Sequence, residues 1–258
     1  MIKYSLLAYI KFLKSSTNQH GIHSPFVYEL ITDCFYDKKK HHEYEVLKNY
    51  RHDLLNNSTC IQITDLGTGS RVFKSSHRKV SQIIKISGST LKRSKLLLRL
   101  VKYFDSTNIL ELGTSLGIGT SALSLGNKQA NITTIEGCPQ TGNISQQQFD
   151  KYHFNNTNLH IGQFKSVLKK LTPITYDLVF FDGNHDKSAT LDYFNLLIDS
   201  VNNESVFIFV DIHWSRSMSE AWTTIINHPK VTVSIDTFYW GIIFFRKEQV
   251  KEHFTVRV

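Results

Sequence analysis

The chain has 258 residues, of which 41% are hydrophobic and 20% are charged, and its formal net charge is +8. This length suits one large α/β domain or a compact domain with an extension, and no apolar run approaches the ~18 residues of a transmembrane helix. The three cysteines show no C-x-x-C spacing. They therefore argue against a disulfide framework or a zinc site, and they favour a reducing, cytoplasmic location.

Aromatic residues and histidines are frequent in the first 60 residues, which predict short helices and loops. The opening "MIKYSLLAYIKFLK" is a poor signal peptide, because its uncharged stretch is short and lacks a small-residue cleavage site. It predicts either a basic helix that touches a membrane surface or a helix that caps the domain. Pro25 predicts the start of a further helix. We expect 1–88 to form a helical extension that acts as a lid or substrate cap.

The segment "IQITDLGTGSR" (61–71) is the first of two glycine-rich boxes. A nucleotide-binding loop requires a following strand that ends in a carboxylate, and no such strand follows closely here. We therefore predict a turn with Gly67 and Gly69 at positive φ. The alternative is an accessory phosphate site beside Arg71 and Lys74.

Residues 71–102 carry many lysines and arginines and no acidic residue. Such a stretch attracts phosphates, nucleic acid or an acidic substrate, and a solvated helix face explains the same pattern. Two helices are predicted between 72 and 104, the second in "LKRSKLLLRLVKYF" with one apolar face.

After residue 107, short apolar strands alternate with helical patterns at the spacing of successive βαβ units. The predicted strands are 108–112, 132–136, 159–162, 177–182 and 205–211. Because they are apolar on both faces, they indicate a parallel sheet covered by helices on both sides. The last segment, 231–247, holds two β-rich runs that close as an antiparallel hairpin. The predicted fold is α/β: a Rossmann-like, seven-stranded, mostly parallel sheet with a C-terminal hairpin, in a domain over 89–258.

The second glycine box, "NILELGTSLGIGT", meets the requirements of a nucleoside site. Glu111 ends the first strand, Gly113, Gly117 and Gly119 shape a turn, and a helix follows. Glu136 ends the next strand, where an acidic residue can bind ribose hydroxyls. The sequence therefore places the ligand at this box.

The spacing in this box differs from the G-x-G-x-x-G of nicotinamide cofactors, so a nicotinamide oxidoreductase is a distant alternative. A carboxylate at Glu111 would repel a pyrophosphate and suits a cationic ligand without phosphate. S-adenosylmethionine carries an ammonium and a sulfonium, and it is the ligand that the charges favour.

Four segments resemble the class I S-adenosylmethionine-dependent methyltransferases. They are "LLLRLVKYFDSTNILELGTSLGIGTSALSL", "TIEGCP", "YDLVFFDGNHDKSATLDYF" and "FIFVDIHWSRSM". The resemblance covers about 90–247. It is strongest to the small-molecule O-methyltransferases of the catechol and caffeoyl-CoA type and to the cephalosporin-hydroxylase-like branch. It implies S-adenosylmethionine as cofactor and a small molecule as acceptor.

The resemblance also implies cofactor-binding residues. The glycine loop would cradle the methionine moiety, and Glu136 would bind the ribose hydroxyls with Gly137 nearby. Gln163 and Phe164 would contact adenine, and Asp182 would lie beside the methyl group. The residues that the resemblance assigns to the cofactor are Glu111, Gly113, Thr114, Gly117, Glu136, Gly137, Gln163, Phe164 and Asp182.

A divalent metal at Asp182 and Asp211 is an alternative that the sequence leaves open. Metal-dependent relatives have a further oxygen ligand where this chain has Ile212, and Mg²⁺ prefers an oxygen-rich shell. His185 and His213 would suit a softer metal instead.

For catalysis we predict an in-line displacement that relies on proximity and orientation, with a histidine as general base. His185 and His213 are the candidates, because each follows a strand-end aspartate. Asp182 or Asp211 would orient the acceptor or the imidazole.

Two other functions remain open from the sequence. An RNA methyltransferase would use the basic 71–102 stretch to bind phosphates. A non-catalytic protein would bind S-adenosylmethionine without transferring a methyl group. A homodimer is one alternative for the oligomeric state.

Overall fold

The computed structural model describes residues 2–64, 75–86, 88–171 and 174–258. Helices lie on both faces of a mixed sheet. The helices are α1 (Ile2–Ser15), α2 (Pro25–Glu29), α3 (Glu43–Asn56), α4 (Val80–Ile86), α5 (Leu91–Phe104), α6 (Ile118–Gly126), α7 (Pro139–Tyr152), α8 (Phe164–Leu171), α9 (Lys187–Leu197) and α10 (Arg216–Ile226). The strands are β1 (Cys60–Gln62), β2 (His77–Lys79), β3 (Asn108–Leu112), β4 (Asn131–Glu136), β5 (Thr157–Ile161), β6 (Leu178–Phe181), β7 (Val206–Val210), β8 (Val233–Asp236), β9 (Trp240–Phe244) and β10 (Glu252–Thr255).

Within the described residues, the main sheet has eight strands in the order β10-β8-β9-β7-β6-β3-β4-β5. The strands from β7 to β5 are parallel, and β9 is antiparallel to both β7 and β8. The predicted α/β fold with its C-terminal hairpin is confirmed. The strand number is eight where seven was expected, because β10 adds to β8 in parallel. A short edge strand with exposed polar residues lacks the apolar alternation that sequence patterns detect.

Each face of the sheet has its own apolar core. Along β3, Ile109 belongs to the core under α3, α5 and α6, whereas Leu110 and Leu112 belong to the core under α8, α9 and α10. Successive side chains of a strand point to opposite faces. Glu111 therefore faces the same helical layer as Ile109, directly beneath the segment that leads into α6.

The N-terminal helices share the first of these cores. Leu47, Tyr50 and Leu54 of α3 are buried in the same apolar cluster as Leu97 and Val101 of α5. The same apolar core therefore includes helices from both sides of residue 88, where the predicted extension ends. The role of 1–88 as a lid remains a prediction.

The cations of α5 hold this extension in place. Arg99 donates hydrogen bonds to the carbonyl oxygens of Cys34 and Phe35 at 2.7 and 3.1 Å. Lys102 Nζ lies 2.5 Å from Glu43 Oε1. A large part of the basic stretch thus pairs within the chain.

Residues 65–71 of the first glycine box lie outside the described residues. This applies to the predicted turn at Gly67 and Gly69 and to the alternative phosphate site at Arg71 and Lys74. The structure describes the two short strands that flank the box, β1 and β2, which pair antiparallel.

Candidate cofactor and acceptor site

A cleft of about 530 Å³ opens at the carboxyl edge of the sheet. From β3 the chain first adds β4 and β5 on one side and then β6 on the other, so the strand order reverses between β3 and β6. Ligands of open α/β sheets bind at such reversal points. The predicted site residues that line this cleft are Gly113, Glu136, Gly137, Gln163, Phe164, Asp182 and His185.

Two glycines give the loop after β3 its shape. Gly113 has φ +106°, and a β-carbon there would lie 2.5 Å from the carbonyl oxygen of Asp182. Gly117 has φ +76°, and a β-carbon there would lie 2.4 Å from Tyr50 Oη. Both positions require glycine on conformational and on steric grounds. The loop consequently contacts the segment after β6 on one side and α3 on the other.

Glu136 connects the loops that follow β3 and β4. Its Oε2 accepts the N–H of Ser115 at 2.8 Å, and its Oε1 accepts the N–H of Cys138 at 2.9 Å. Burial raises the pKa of this carboxyl, while the backbone N–H groups act to lower it. A carboxylate has about four acceptor positions, so Glu136, which lines the cleft, retains capacity for a further hydrogen bond.

Glu111 lies beneath the glycine loop and is not among the cleft-lining residues. Its Oε2 accepts hydrogen bonds from Thr120 and Thr134 at 2.5 and 2.6 Å, and Thr134 also pairs with Thr114. Its Oε1 has no hydrogen-bond partner among the described residues. Burial raises the pKa of Glu111 to about 7, and the two threonine hydroxyls oppose that shift. The network fixes the floor of the loop, and a contact of Glu111 or Thr114 with the cofactor stays a prediction.

The buried Glu111 carboxyl predicts a pH-dependent stability. The folded state retains the proton up to a pKa of about 7, whereas the ordinary value is 4.5. Stability therefore falls as the pH rises from the lower value through the higher one, by about 3 kcal/mol in total. We expect Glu111→Gln to remove most of this loss. Thermal unfolding of the ligand-free protein below and above this pH window tests the prediction, and equal pH slopes for both proteins would contradict it.

Phe164 and Gln163 stand at the start of α8, on the wall of the cleft after β5. The Phe164 ring packs edge-on against Tyr193 at 5.6 Å, and it closely approaches Gly183. Tyr193 is itself held by a hydrogen bond from Asn184 at 3.0 Å. This wall is aromatic, and it suits a planar base.

Asp182, His185 and Asp211 meet at the other end of the cleft. The Nε2 atom of His185 lies 4.0 Å from Asp211 Oδ2. Burial lowers the pKa of His185, and Asp211 opposes that shift. Burial, with Asp211 and then Glu111, raises the pKa of Asp182 well above its ordinary range. His185 is therefore neutral near pH 7 and can accept a proton.

The second histidine candidate, His213, has a different environment. Its Nε2 lies 2.7 Å from Asp236 Oδ2, and its Nδ1 lies 3.0 Å from Ser219 Oγ. Its ring stacks on Phe238 with centroids 5.3 Å apart. Both ring nitrogens thus have partners outside the cleft. The structure brings His185 together with Asp182 and Asp211, but not His213.

The residues proposed for a metal do not form a cation site. In the described parts of the chain, no three His, Cys, Asp or Glu side chains are placed to hold one ion. Ile212, where the metal-dependent relatives have an oxygen ligand, is buried. Two carboxylates fall short of the oxygen-rich shell that Mg²⁺ needs. We assign no step of the reaction to a metal.

Sequence patterns missed Tyr50, which supports the glycine loop from α3. Its hydroxyl is buried and donates a hydrogen bond to the carbonyl oxygen of Leu116 at 2.9 Å. They also missed Ile63, Thr64 and Arg78, which flank the cleft from the β1–β2 region. Ile63 and Thr64 belong to the first glycine box and Arg78 to the basic 71–102 stretch, but neither pattern indicates that these residues reach the cleft at the second box.

Tyr50→Phe should weaken S-adenosylmethionine binding several-fold and destabilise the protein by about 1 kcal/mol, because the Leu116 carbonyl loses its donor. Calorimetric titration and thermal unfolding measure the two effects. Tyr28→Phe, at an exposed tyrosine of α2, is the matched control. Unchanged affinity in Tyr50→Phe would show that the loop does not depend on α3.

Residues 110–212 match the family model described as a methyltransferase domain. This match extends from β3 to the segment after β7, and it contains the glycine loop, Glu136 and His185. Together with the fold, it confirms the predicted resemblance to the class I S-adenosylmethionine-dependent methyltransferases. No curated protein matches the sequence.

Solved structures share this fold at low sequence identity. The SAH-bound methyltransferase PaMTH1 from Podospora anserina has a TM-score of 0.61 at 13% identity, over 88% of this chain and 97% of that one. An O-methyltransferase from Bacillus cereus in complex with SAH has a TM-score of 0.57 at 15% identity, over 83% and 95%. The O-methyltransferase TomG from Streptomyces achromogenes, in complex with SAM, has a TM-score of 0.57 at 12% identity, over 84% and 95%.

Proposed function

We propose that the chain transfers a methyl group from S-adenosylmethionine to an oxygen atom of a small-molecule acceptor. The observation that carries the proposal is one cleft with two ends. A glycine loop and Glu136 lie at one end, and the neutral His185 lies beside Asp182 and Asp211 at the other. The complexes of similar folds with SAH or SAM support the same ligand.

The donor groups of the cleft fit this cofactor. Gly113 and Gly117 keep the loop free of side chains, so that backbone groups can approach the methionine portion. Glu136 offers acceptors for the ribose hydroxyls, and Phe164 offers an aromatic face for adenine. The bound cofactor supplies a sulfonium methyl group to an oxygen nucleophile by in-line displacement.

His185 would remove the proton from the acceptor hydroxyl. Its pKa is lowered by burial, so the imidazole is unprotonated near neutral pH and can act as a base. Asp211, 4.0 Å from Nε2, would stabilise the imidazolium that forms. Asp182 would orient the acceptor, since its raised pKa allows the protonated carboxyl to donate a hydrogen bond.

Several basic side chains of α5 contact other parts of the chain, and this favours a small acceptor over RNA. Arg99 and Lys102 bind groups of the N-terminal extension, and the Arg93 guanidinium lies 4.0 Å from the centre of the Tyr239 ring. Lys92 donates to the carbonyl oxygen of Val258 at 2.9 Å. These cations are engaged inside the chain, whereas phosphate binding needs them on an open surface.

Calorimetric titration with S-adenosylmethionine, and separately with NADH, tests the cofactor. Transfer of a labelled methyl group to a panel of phenols, catechols and RNA then tests the reaction. We expect S-adenosylmethionine to bind and phenolic acceptors to be labelled. NADH binding without S-adenosylmethionine binding would contradict the cofactor. Binding without transfer to any acceptor would support the non-catalytic alternative, and labelling of RNA alone would support the RNA alternative.

A further inference from the structure

Helix α1 has apolar side chains on two sides, one packed against the rest of the chain and one exposed. On the inner face, the rings of Tyr9 and Phe12 pack against Phe238, in the turn between β8 and β9, with centroids 4.8 and 5.5 Å apart. The outer face has large apolar side chains whose exposed fractions reach 66%. These are Leu6, Leu7, Ile10 and Leu13. Residues that are three and four positions apart lie on one side of a helix, so the outer side chains form a patch.

The charged side chains of α1 have one sign. Lys11 and Lys14 of α1 are exposed beside the apolar residues. The first acidic residue of the chain is Glu29, well beyond the helix, and the formal net charge is +8. An apolar face with flanking lysines is complementary to an anionic lipid surface, where lysine stems lie along the apolar layer and ammonium groups reach the headgroups.

Two exposed aromatic residues lie on loops at or next to the turn that α1 contacts. Trp214 and Tyr239 are 40% and 47% exposed. The N–H of Asp211 bonds the carbonyl oxygen of Tyr239, and the N–H of Trp214 bonds the carbonyl oxygen of Asp211. Tyr239 also contacts Phe238, on which α1 rests. Tryptophan and tyrosine favour the interface between water and lipid.

We propose that α1, together with Trp214 and Tyr239, forms a face that binds the surface of anionic membranes. None of the described helices is long and apolar enough to cross a bilayer. With 14 residues, α1 is about 21 Å long and shorter than a hydrocarbon core of about 30 Å. The helix therefore lies in the plane of the interface. This inference goes beyond the proposed function, and a chain that transfers no methyl group would still bind lipid.

Flotation of the full chain with vesicles tests the proposal. We expect binding to phosphatidylcholine vesicles that contain phosphatidylglycerol, little binding to pure phosphatidylcholine, and loss of binding as salt is added. The double variant Leu7→Glu with Ile10→Glu should lower the bound fraction about tenfold or more, because it places carboxylates on the outer face. Circular dichroism and thermal unfolding establish that the variant is folded.

Val250→Glu is the matched control, since Val250 is 77% exposed and precedes β10, whereas α1 contacts Phe238 at the other end of the paired strands β8 and β10. Its binding should equal that of the unmodified chain. No binding to anionic vesicles, or an equal loss in both variants, would overturn the proposal. Light scattering adds a separate outcome. A dimer that the double variant converts to a monomer would assign the face to a second copy of the chain and would also overturn it.

Discussion

Glu136→Ala is expected to weaken S-adenosylmethionine binding about a hundredfold. A hydrogen bond to a charged group contributes about 1.5–3 kcal/mol, and the variant loses the carboxylate that we assign to the ribose hydroxyls. It also leaves the N–H groups of Ser115 and Cys138 without their acceptor, so both loops of the cleft lose a support. Isothermal calorimetry with S-adenosylmethionine measures the change.

A ligand comparison separates the two causes of this loss. The unmodified protein should bind S-adenosylhomocysteine more tightly than its 2′-deoxy analogue, whereas Glu136→Ala should bind both alike. Glu45→Ala, on the exposed side of α3, should bind as the unmodified protein does. If Glu136→Ala still preferred the ribose form by the full factor, another residue would hold the hydroxyls.

The central strands are predictable from sequence because they are buried on both faces. β6 and β7 read as continuous apolar runs, β3 is interrupted by Glu111, and each of the three lies within two residues of its predicted position. β10 escapes prediction because it has one buried residue and no apolar alternation, and only its pairing with β8 defines it as a strand. Pairing between neighbouring strands depends on tertiary contacts, which a local sequence pattern does not reveal.

The candidate site also has residues that the sequence predicts and residues that it does not. Glu136 and His185 follow strand ends, so the parallel sheet alone brings them to one edge. Their neighbours depend on packing over long sequence distances. Tyr50 comes from a helix that precedes the sheet. His213 also follows a strand-end aspartate, and only the position of Asp236 on β8 shows that its ring bonds elsewhere. Sequence therefore proposes two equivalent bases, and tertiary structure distinguishes them.

The geometry also relates the two ends of the cleft. A β-carbon at Gly113 would meet the backbone of Asp182, so the cofactor loop and the acceptor end are in direct contact. Glu111, beneath the loop, contributes to the raised pKa of Asp182. A change at the loop is therefore expected to alter the acceptor end, because the two are in backbone contact and a charge on Glu111 affects the pKa of Asp182.

His185→Ala is expected to lower kcat by a factor of about 10² to 10⁴, which is the usual contribution of a positioned general base. The Kd for S-adenosylmethionine should change little, because His185 lies at the acceptor end. In the unmodified enzyme, burial holds the pKa of His185 below its ordinary 6.5. Since the base must be unprotonated, kcat should rise with pH up to that lowered pKa and then remain constant. The rising limb should be absent from the residual activity of the variant.

His213→Ala is the informative comparison for this prediction. Its ring bonds Asp236 and Ser219, so the variant should lose thermal stability but retain most of its kcat and the same pH profile. The opposite result, with kcat lost in His213→Ala and kept in His185→Ala, would assign the base to His213. Both variants remove an imidazole beside an aspartate, so if only the loss of a histidine–aspartate pair mattered, their effects would be similar. If one imidazole transfers the proton, the rise of kcat with pH disappears only from the variant that lacks that imidazole.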